Sequence, residues 1–250
     1  MTGKLYGLGL GPGDPELVTL KAHRILTSVS VVAYPAPDTG PSFARQIAAP
    51  YLTAAQLEVP MIVPMRVERY PAREVYDAAA ETLSHHLDSG SDVAVLCEGD
   101  PFFYGSFMYL FERLAGRYEI EIVPGVSSVM AGAAALGRPL AARNDVLTVL
   151  AAPLEDDVLR AQLLATDAAV IIKIGRHFNR IRALLEDMNL LEQAGYLERI
   201  SLAEQRVLPL SDISDDSAPY FSMILIYKGQ ERWIAGLSTP PANPTDPFHA

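Results

Sequence analysis

The sequence predicts an α/β protein made of two α/β domains, and three observations support this. Short apolar runs alternate with helix-like stretches along the 250-residue chain, which is typical of parallel sheets covered by helices. Turns that contain glycine follow three of the apolar runs directly. A break in the rhythm at residues 137–145, where glycine, proline and two arginines occur together, predicts a linker. We therefore expect domains at residues 1–140 and 141–250.

In the first domain, apolar runs of strand length alternate with stretches that place apolar residues on one helical stripe. Alternation of this kind predicts a mainly parallel sheet whose two faces are both covered. The predicted strands are residues 5–9, 29–34, 92–97 and 118–123, and the predicted helices are residues 17–26, 73–88, 106–114 and 127–136.

In the second domain the alternation resumes, but the chain ends on strands. A turn predicted at residues 212–219, between the last two strands, indicates a mixed sheet with hairpin strands. Residues 238–250 carry four prolines, so we expect them to be disordered or to cross the surface. The predicted strands are residues 146–150, 168–174, 207–210 and 220–227, and the predicted helices are residues 155–164 and 181–188.

Composition and charge exclude several functional classes. The formal charge of −10 lacks the basic excess of most nucleic-acid-binding proteins, so we expect no nucleic-acid partner. No apolar run reaches the roughly 18 residues that a membrane span needs, and no signal-peptide pattern is visible, so we expect no membrane. Cys97 is the only cysteine, which excludes an intrachain disulfide and is typical of the reducing cytoplasm. Histidines and carboxylates show no metal-ligand spacing, so we expect no metal.

The first glycine-rich turn, GLGLGPGDP at residues 7–15, follows the first predicted strand. Glycines at such a turn let a ligand approach backbone N–H groups, as in dinucleotide-binding folds. The dinucleotide spacing fails because Pro12 stands at the third glycine position, and no acidic residue ends the second strand. A nucleotide-dependent oxidoreductase is therefore disfavoured. Asp14 either caps the following helix or takes part in chemistry.

The second turn, CEGDPFFYG at residues 97–105, lies outside the carboxyl end of a predicted strand, where open α/β sheets bind ligands. Gly99 permits close approach of the backbone, and Asp100 can accept hydrogen bonds from a ribose or an ammonium group. The aromatic residues that follow could enclose an adenine or a macrocycle, with core packing as the simpler interpretation for those on the helix. They are Phe102, Phe103, Tyr104 and Phe107, and the core interpretation applies to Phe107 together with Phe111, four residues further along the helix.

The third turn, PGVSS at residues 124–128, joins a predicted strand to a predicted helix. Helix amino ends present unpaired N–H groups, and serines there can cap the helix or bind a ligand. Ser127 and Ser128 are the candidates. Taken alone, N-capping by Ser127 is the simpler interpretation.

These three motifs, in this order, resemble the signature of the tetrapyrrole methylase family, whose members use S-adenosylmethionine to methylate uroporphyrinogen and corrin precursors. The resemblance covers the chain from Leu5 to about Tyr227. Finer features are similar to the branch that methylates precorrin-2 at carbon 20 and gives precorrin-3A in cobalamin biosynthesis. These features are residues 32–35, 97–109, 173–177 and 204–209.

The resemblance implies two α/β domains with S-adenosylmethionine in the cleft between them, and a homodimer. Ile174 stands where the wider family often has methionine, and Ile200 stands where a small residue is common. The implied side-chain contacts at these two positions therefore differ from the family pattern. The co-substrate contacts that the resemblance implies are Pro12, Gly99, Asp100, Phe103, Ser127, Ser128, Ile174 and Ile200.

A tetrapyrrole substrate carries many carboxylates, so arginines are expected to line part of its site. For each of these arginines, a solvated surface position is an equal alternative. Asp14 could act as a base, as a partner of a ring nitrogen or as a helix cap, and the sequence leaves these roles open. The substrate-site candidates are Tyr34, Tyr104, Arg138, Arg143 and Arg176.

Two rival interpretations stay open beside the oxidoreductase. Within the family, the substrate could be cobalt-precorrin-2, or another ring position could be methylated, because one sequence does not reveal the metal state of a substrate. Outside catalysis, the chain could be a binding protein that kept the fold and lost turnover. The three complete motifs argue against that second rival.

Overall fold

A computed structural model describes residues 2–63 and 71–231; the proline-rich residues 238–250 lie outside this part of the chain. The chain forms two compact units, Met1–Ser128 and Val129–Ala250, each with its own five-stranded sheet. The predicted fold class of two α/β domains is confirmed. The boundary between the two units lies before residues 137–145, because the helix that precedes this segment packs in the second unit. A boundary at residue 140 stays a prediction.

The first unit contains a parallel sheet. Its strands are β1 (Leu5–Gly9), β2 (Val31–Ala36), β3 (Leu57–Ile62), β4 (Val93–Cys97) and β5 (Ile120–Val123). Their order is β3-β2-β4-β1-β5, and all neighbours are parallel. The carboxyl ends of the strands therefore meet at one edge of the sheet.

Helices cover both faces of this sheet. They are α1 (Leu20–Leu26), α2 (Phe43–Ala48), α3 (Pro71–Asp88) and α4 (Phe107–Leu114), with short 3₁₀ helices at Pro15–Leu17 and Ala49–Tyr51. Alternate residues of β4 enter different apolar clusters. Val93 and Val95 lie in the cluster that contains α3 and α4 residues, whereas Ala94 and Leu96 lie in the cluster that contains α1 and α2 residues. This is why β4 is apolar at every position.

The second unit contains a mixed sheet, as the sequence predicted. Its elements are α5 (Ser128–Leu136), β6 (Leu147–Ala151), α6 (Asp156–Ala165), β7 (Ala168–Ile172), α7 (Phe178–Asp187), β8 (Ala194–Glu198), β9 (Arg206–Pro209) and β10 (Ser222–Tyr227). The sheet order is β6-β7-β10-β8-β9. β6 and β7 are parallel, and the other neighbouring pairs are antiparallel.

Three elements were not predicted from the sequence: α2, β3 and β8. β3 contains Glu58 and Pro60, which interrupt the apolar pattern and suit the edge position that this strand occupies. β8 contains Gly195, and a Cβ there would lie 2.9 Å from the two Cδ atoms of Leu136. The glycine therefore makes room for α5, although it weakens the strand pattern in the sequence.

The last two strands do not form the predicted hairpin. β9 pairs with β8, whereas β10 lies between β7 and β8. All six residues of β10 are buried, so this strand takes the centre of the sheet, where neighbours cover it on all sides. The strand predicted over residues 168–174 ends at Ile172, because Lys173 has a φ of 59°, outside the strand region.

Candidate active site

Three loops meet at the carboxyl edge of the first sheet, because β4, β1 and β5 are neighbours. The loops follow Gly9, Cys97 and Val123, and each contains one of the three glycine motifs. This edge is the usual ligand position in open α/β sheets.

Backbone hydrogen bonds join the first loop to the second. The Leu10 N–H donates to the Cys97 carbonyl at 3.0 Å. The Gly99 N–H donates to the Gly11 carbonyl at 2.8 Å, and the Gly11 N–H donates back to the Gly99 carbonyl at 3.3 Å. Gly11 and Gly99 have φ values of 81° and 64°, in the left-handed region that favours glycine. The two glycines are thus required by the backbone conformation at this contact.

Gly9, Gly99 and Gly125 form a glycine junction in which three loop backbones touch. A Cβ on Gly125 would lie 2.1 Å from the Gly99 carbonyl oxygen, and a Cβ on Gly9 would lie 2.4 Å from the Gly125 nitrogen. No side chain fits at either position. Gly99 itself borders open space, since a Cβ there would approach the Val126 carbonyl oxygen no closer than 4.0 Å. A ligand atom can therefore reach the backbone at Gly99.

The carboxylate of Asp100 links the second loop to the third. One oxygen accepts from the backbone N–H groups of Phe102 at 2.9 Å and Phe103 at 3.1 Å. The other accepts from the Gly125 N–H at 3.1 Å. The sequence predicted that Asp100 accepts hydrogen bonds from a ligand. In the structure, the donors to this carboxylate are backbone N–H groups of the protein. Its direct contact with a ligand stays a prediction.

Aromatic side chains stand exposed beside the glycine junction. Phe102, Phe103 and Tyr104 are 47%, 38% and 45% exposed. The rings of Phe103 and Tyr104 meet edge to face with centroids 5.2 Å apart. Tyr104 has a φ of 56°, which is unfavourable for a residue with a side chain and is typical of functional sites. Phe107 is buried and Phe111 packs against the same apolar cluster, so the core interpretation of these two is confirmed.

The serines of the third motif lie at the amino end of α5. Ser128 is the first residue of this helix and Ser127 precedes it. Both are partly buried. They follow Gly125 closely in the chain, so the start of α5 lies beside the glycine junction.

Asp14 caps the 3₁₀ helix Pro15–Leu17. Its side chain accepts from the Glu16 N–H at 2.8 Å, which is the capping role that the sequence left open. Pro12 is buried in the same loop. A chemical role for Asp14 and a co-substrate contact for Pro12 stay predictions.

Tyr34 belongs to a partly buried polar group of the first unit. Its hydroxyl donates to a Glu58 carboxylate oxygen at 2.8 Å. Arg45 donates to both oxygens of the same carboxylate, at 2.6 and 2.8 Å. The Arg45 guanidinium lowers the pKa of Glu58, while burial and the Glu58 carboxylate raise the pKa of Tyr34. The Tyr34 hydroxyl is thus already engaged within the protein.

Ile174 and Ile200 lie at one edge of the second sheet. They follow β7 and β8, which flank β10 and run parallel to each other. Both side chains are buried, in clusters on different faces of the sheet. Lys173 and Arg199, which precede them, have φ values of 59° and 50°, so the chain turns sharply before each isoleucine.

The three candidate arginines have different environments. Arg138 is buried, and one guanidinium nitrogen donates to the carbonyls of Gln193 at 3.3 Å and Leu225 at 3.1 Å. Burial lowers the pKa of Arg138. Arg143 is largely exposed and forms an ion pair with Glu231 at 2.8 Å.

Arg176 lies on the surface next to a histidine. Its Nε donates to His177 Nε2 at 3.2 Å. Burial and the charges of Arg176 and Arg180 lower the pKa of His177, which favours the neutral ring that this hydrogen bond needs. Arg143 and Arg176 thus remain more accessible to an anionic substrate than Arg138.

A family model for tetrapyrrole (corrin/porphyrin) methylases matches residues 4–214. The chain belongs to this family. The match includes all three loops of the glycine junction, so the tetrapyrrole methylase motifs are the same residues that build the site.

Curated relatives of this tetrapyrrole methylase come from several bacteria. The cobalamin biosynthesis protein CobIJ of Mycobacterium bovis is 45% identical over 92% of this chain, which spans about half (47%) of that relative's length. The precorrin-2 C(20)-methyltransferase of a Sinorhizobium species is 38% identical, with 92% of this chain and 97% of the relative covered. The cobalt-precorrin-2 C(20)-methyltransferase of Salmonella typhimurium is 35% identical, with 92% and 99% covered.

A solved tetrapyrrole methylase supports the architecture. Uroporphyrin-III C-methyltransferase from Thermus thermophilus, in complex with S-adenosylhomocysteine, matches with a TM-score of 0.65 and 25% identity. The match covers 89% of this chain and 97% of that one.

One carboxyl group of the methylase site was not singled out by sequence reasoning. Glu98 lies between Cys97 and Gly99, and burial raises the pKa of its side chain. Its place inside the second motif was visible in the sequence, but its hydrogen bond from the Ala44 backbone involves α2, an element that the sequence did not predict.

Within residues 2–63 and 71–231, no three His, Cys, Asp or Glu side chains are grouped as metal ligands. Across the same residues, no helix combines the length and apolarity needed to cross a bilayer.

Proposed function

We propose that this chain is an S-adenosylmethionine-dependent methyltransferase that methylates precorrin-2 at carbon 20 and gives precorrin-3A in cobalamin biosynthesis. The observation that carries the proposal is the glycine junction, where three loop backbones touch and leave open space at Gly99. The relatives of nearly equal length that act on precorrin-2 or cobalt-precorrin-2, according to their names, support the choice of substrate and ring position.

The residues around the junction suit the co-substrate. The open space at Gly99 lets an amino acid or ribose group pack close to the loop backbone, and Phe103 offers an exposed aromatic face for adenine. Bound S-adenosylmethionine would supply a methyl group already activated by its sulfonium. The proposed co-substrate contacts are Pro12, Gly99, Asp100, Phe103, Ser127, Ser128, Ile174 and Ile200.

The protein's main contribution to such a transfer is orientation. A methyl group must move in line from sulfur to carbon, and correct alignment of two bound reactants can lower a barrier by roughly 7–11 kcal/mol. The glycine junction suits this task because it is built from close backbone contacts, and the short Asp100 side chain braces it through three hydrogen bonds from backbone N–H groups. The acceptor is an electron-rich carbon between two pyrrole-derived rings.

Recognition of the tetrapyrrole requires cationic and aromatic groups. Arg143 and Arg176 offer accessible guanidinium groups for its carboxylates, and Tyr104 offers an exposed ring for the macrocycle. Arg138 and Tyr34 are better suited to holding the fold, since their polar atoms already have partners inside the protein.

A mass-spectrometric assay tests the proposal. Purified protein is incubated anaerobically with methyl-labelled S-adenosylmethionine and metal-free precorrin-2, and in parallel with the cobalt form. We expect one added methyl on the metal-free substrate, mapped to carbon 20 by NMR. Methylation of the cobalt form alone would move the enzyme to the cobalt-dependent pathway. Failure with both substrates would overturn the choice of substrate.

Assembly and location form part of the same proposal. We propose a homodimer in the cytoplasm. Light scattering after size-exclusion chromatography measures the oligomeric state. A mass of one chain, 27.1 kDa, would contradict the dimer.

A further inference from the structure

Glu98 occupies a fixed position at the carboxyl end of β4. Its neighbours on both sides are clamped to the first loop, through the hydrogen bond from Leu10 to Cys97 and the paired bonds between Gly11 and Gly99. The backbone on either side of Glu98 is therefore held by hydrogen bonds, as a residue that acts on a substrate requires.

The side chain of Glu98 lies on the α2 face of the sheet. Successive residues of a strand point to opposite faces, and Ala94 and Leu96 enter the apolar cluster that includes Ala44 of α2. Glu98 continues this series, and its carboxylate accepts a hydrogen bond from the Ala44 backbone N–H. The residue keeps part of its surface exposed, so the carboxyl group sits between an apolar cluster and the open edge of the sheet.

Glu98 differs from the two other carboxylates of the motif loops. Asp14 caps a 3₁₀ helix, and Asp100 accepts hydrogen bonds from three backbone N–H groups. Both carboxylates thus hold loop backbone in place. At Glu98, burial has the larger effect and raises the pKa above the ordinary range, against the hydrogen bonds from the backbone of Ala44 and of Glu98 itself.

Two titratable groups near Glu98, Cys97 and Tyr76, stay uncharged at neutral pH, whereas Asp100 on the same loop is a charged neighbour that also acts on Cys97. Burial is the main cause of the raised pKa values of Cys97 and Tyr76, and the charge of Glu98 adds to each. The raised pKa of Glu98 arises from burial, and only backbone hydrogen bonds oppose it. It therefore does not depend on the ionisation of a neighbour.

We propose that Glu98 is the base that removes the proton from the methylated carbon of the substrate. This role rests on the proposed function. In the first step the carbon–sulfur bond breaks with its electron pair going to sulfur, and a π pair of the substrate forms the new carbon–carbon bond. In the second step the carbon–hydrogen bond breaks, its pair restores the conjugation, and the proton moves to a carboxylate oxygen of Glu98. A buried carboxylate of raised pKa suits this task better than an ordinary one.

The test compares Glu98→Gln with the wild-type enzyme and with Glu81→Gln, a matched change at an exposed position of α3. Glutamine keeps an oxygen for the Ala44 N–H but cannot accept the proton. We expect kcat to fall about 100-fold in E98Q, with the KM for S-adenosylmethionine and the Kd for S-adenosylhomocysteine unchanged. Glu98→Asp should recover part of the rate, and E81Q should behave as wild type.

Two further readouts separate proton removal from a structural role. Deuterium at the acceptor carbon should slow E98Q more than the wild type, because proton loss becomes limiting. The wild-type rate should fall at acid pH as Glu98 is protonated, and this limb should vanish in E98Q. If E98Q unfolds, the test uses the loss of wild-type rate at acid pH and the deuterium isotope effect of E98D. The absence of both effects would overturn the role of Glu98.

The outcomes distinguish this role from the proposed function. A wild-type enzyme that methylates neither form of precorrin-2 overturns the proposed function, and the role of Glu98 falls with it. An active wild type beside an E98Q variant with normal kcat overturns the role of Glu98 alone.

Discussion

The carboxylate of Asp100 accepts a hydrogen bond from the backbone N–H of Gly125 at 3.1 Å, and this contact ties the second loop of the site to the third. The other oxygen of the same carboxylate holds the start of the aromatic segment through Phe102 and Phe103. Asp100 therefore fixes the relative position of two loops that are proposed to bind the same co-substrate.

Asp100→Asn should loosen this link. The amide nitrogen cannot accept from Gly125, so a backbone donor loses its partner. We expect the free energy of unfolding to fall by about 1–3 kcal/mol, with weaker binding of S-adenosylhomocysteine. Urea unfolding and calorimetric titration measure the two effects. Asp38→Asn, at an exposed position, is the control, and equal behaviour of the two variants would contradict the bracing role.

Gly125→Ala should abolish methylation. Its Cβ would lie 2.1 Å from the Gly99 carbonyl oxygen, so the loops must separate. Gly116→Ala is the matched control, because a Cβ at Gly116 meets no atom within 4 Å. We expect G116A to keep its activity and a stability within about 0.5 kcal/mol of wild type. Thermal unfolding and the methylation assay are measured for both variants. An active G125A variant would refute the packing argument.

Ser84→Ala should stabilise the protein. The Ser84 hydroxyl is buried in α3 without a hydrogen-bond partner among the described residues, which costs about 1–3 kcal/mol for such a group. Alanine removes the polar atom and favours the helix. Ser89→Ala is the contrast, since that hydroxyl donates to the His86 carbonyl at 2.7 Å. The urea concentration at the unfolding midpoint should be higher for S84A than for wild type. A lower midpoint for S84A would show that the hydroxyl has a partner in solution.

Glu121→Gln should lower stability at neutral pH and have no effect in strong acid. Lys21 and Lys4 hold the pKa of Glu121 down, from 4.5 to about 2. A carboxylate with a lowered pKa in the folded state stabilises that state above its unfolded pKa, and this contribution is lost as the pH falls. The stability difference between wild type and E121Q should therefore be full above pH 4.5 and vanish near pH 2.

Salt provides the control for this ion pair. Because Glu121 and its lysines lie at the surface, 1 M NaCl should reduce the difference between wild type and E121Q at pH 7. A difference that persisted unchanged from pH 7 to pH 2 would show that Glu121 acts through packing and not through its charge.

The sequence by itself determined the fold class and the location of the motif loops. β1 was predicted at its observed bounds, and the other predicted strands of the first unit overlap the observed ones, because apolar periodicity and glycine turns are local signals. The need for glycine at Gly11 and Gly99 is local too, since a positive φ restricts the residue whatever surrounds it.

Only the tertiary structure decided which side chains are free to act. From the sequence, the charged side chains of Asp100 and Arg138 were expected to bind ligands. In the structure, their polar atoms form hydrogen bonds with backbone groups from distant parts of the chain. The place of β10 between β7 and β8 was likewise invisible, because strand order depends on which surfaces can be buried together. Glu98 is a candidate base only because the fold places α2 beside it. Local patterns fix the backbone conformation and the position of the motif loops, whereas burial and hydrogen-bond partners arise from long-range contacts that no short segment encodes.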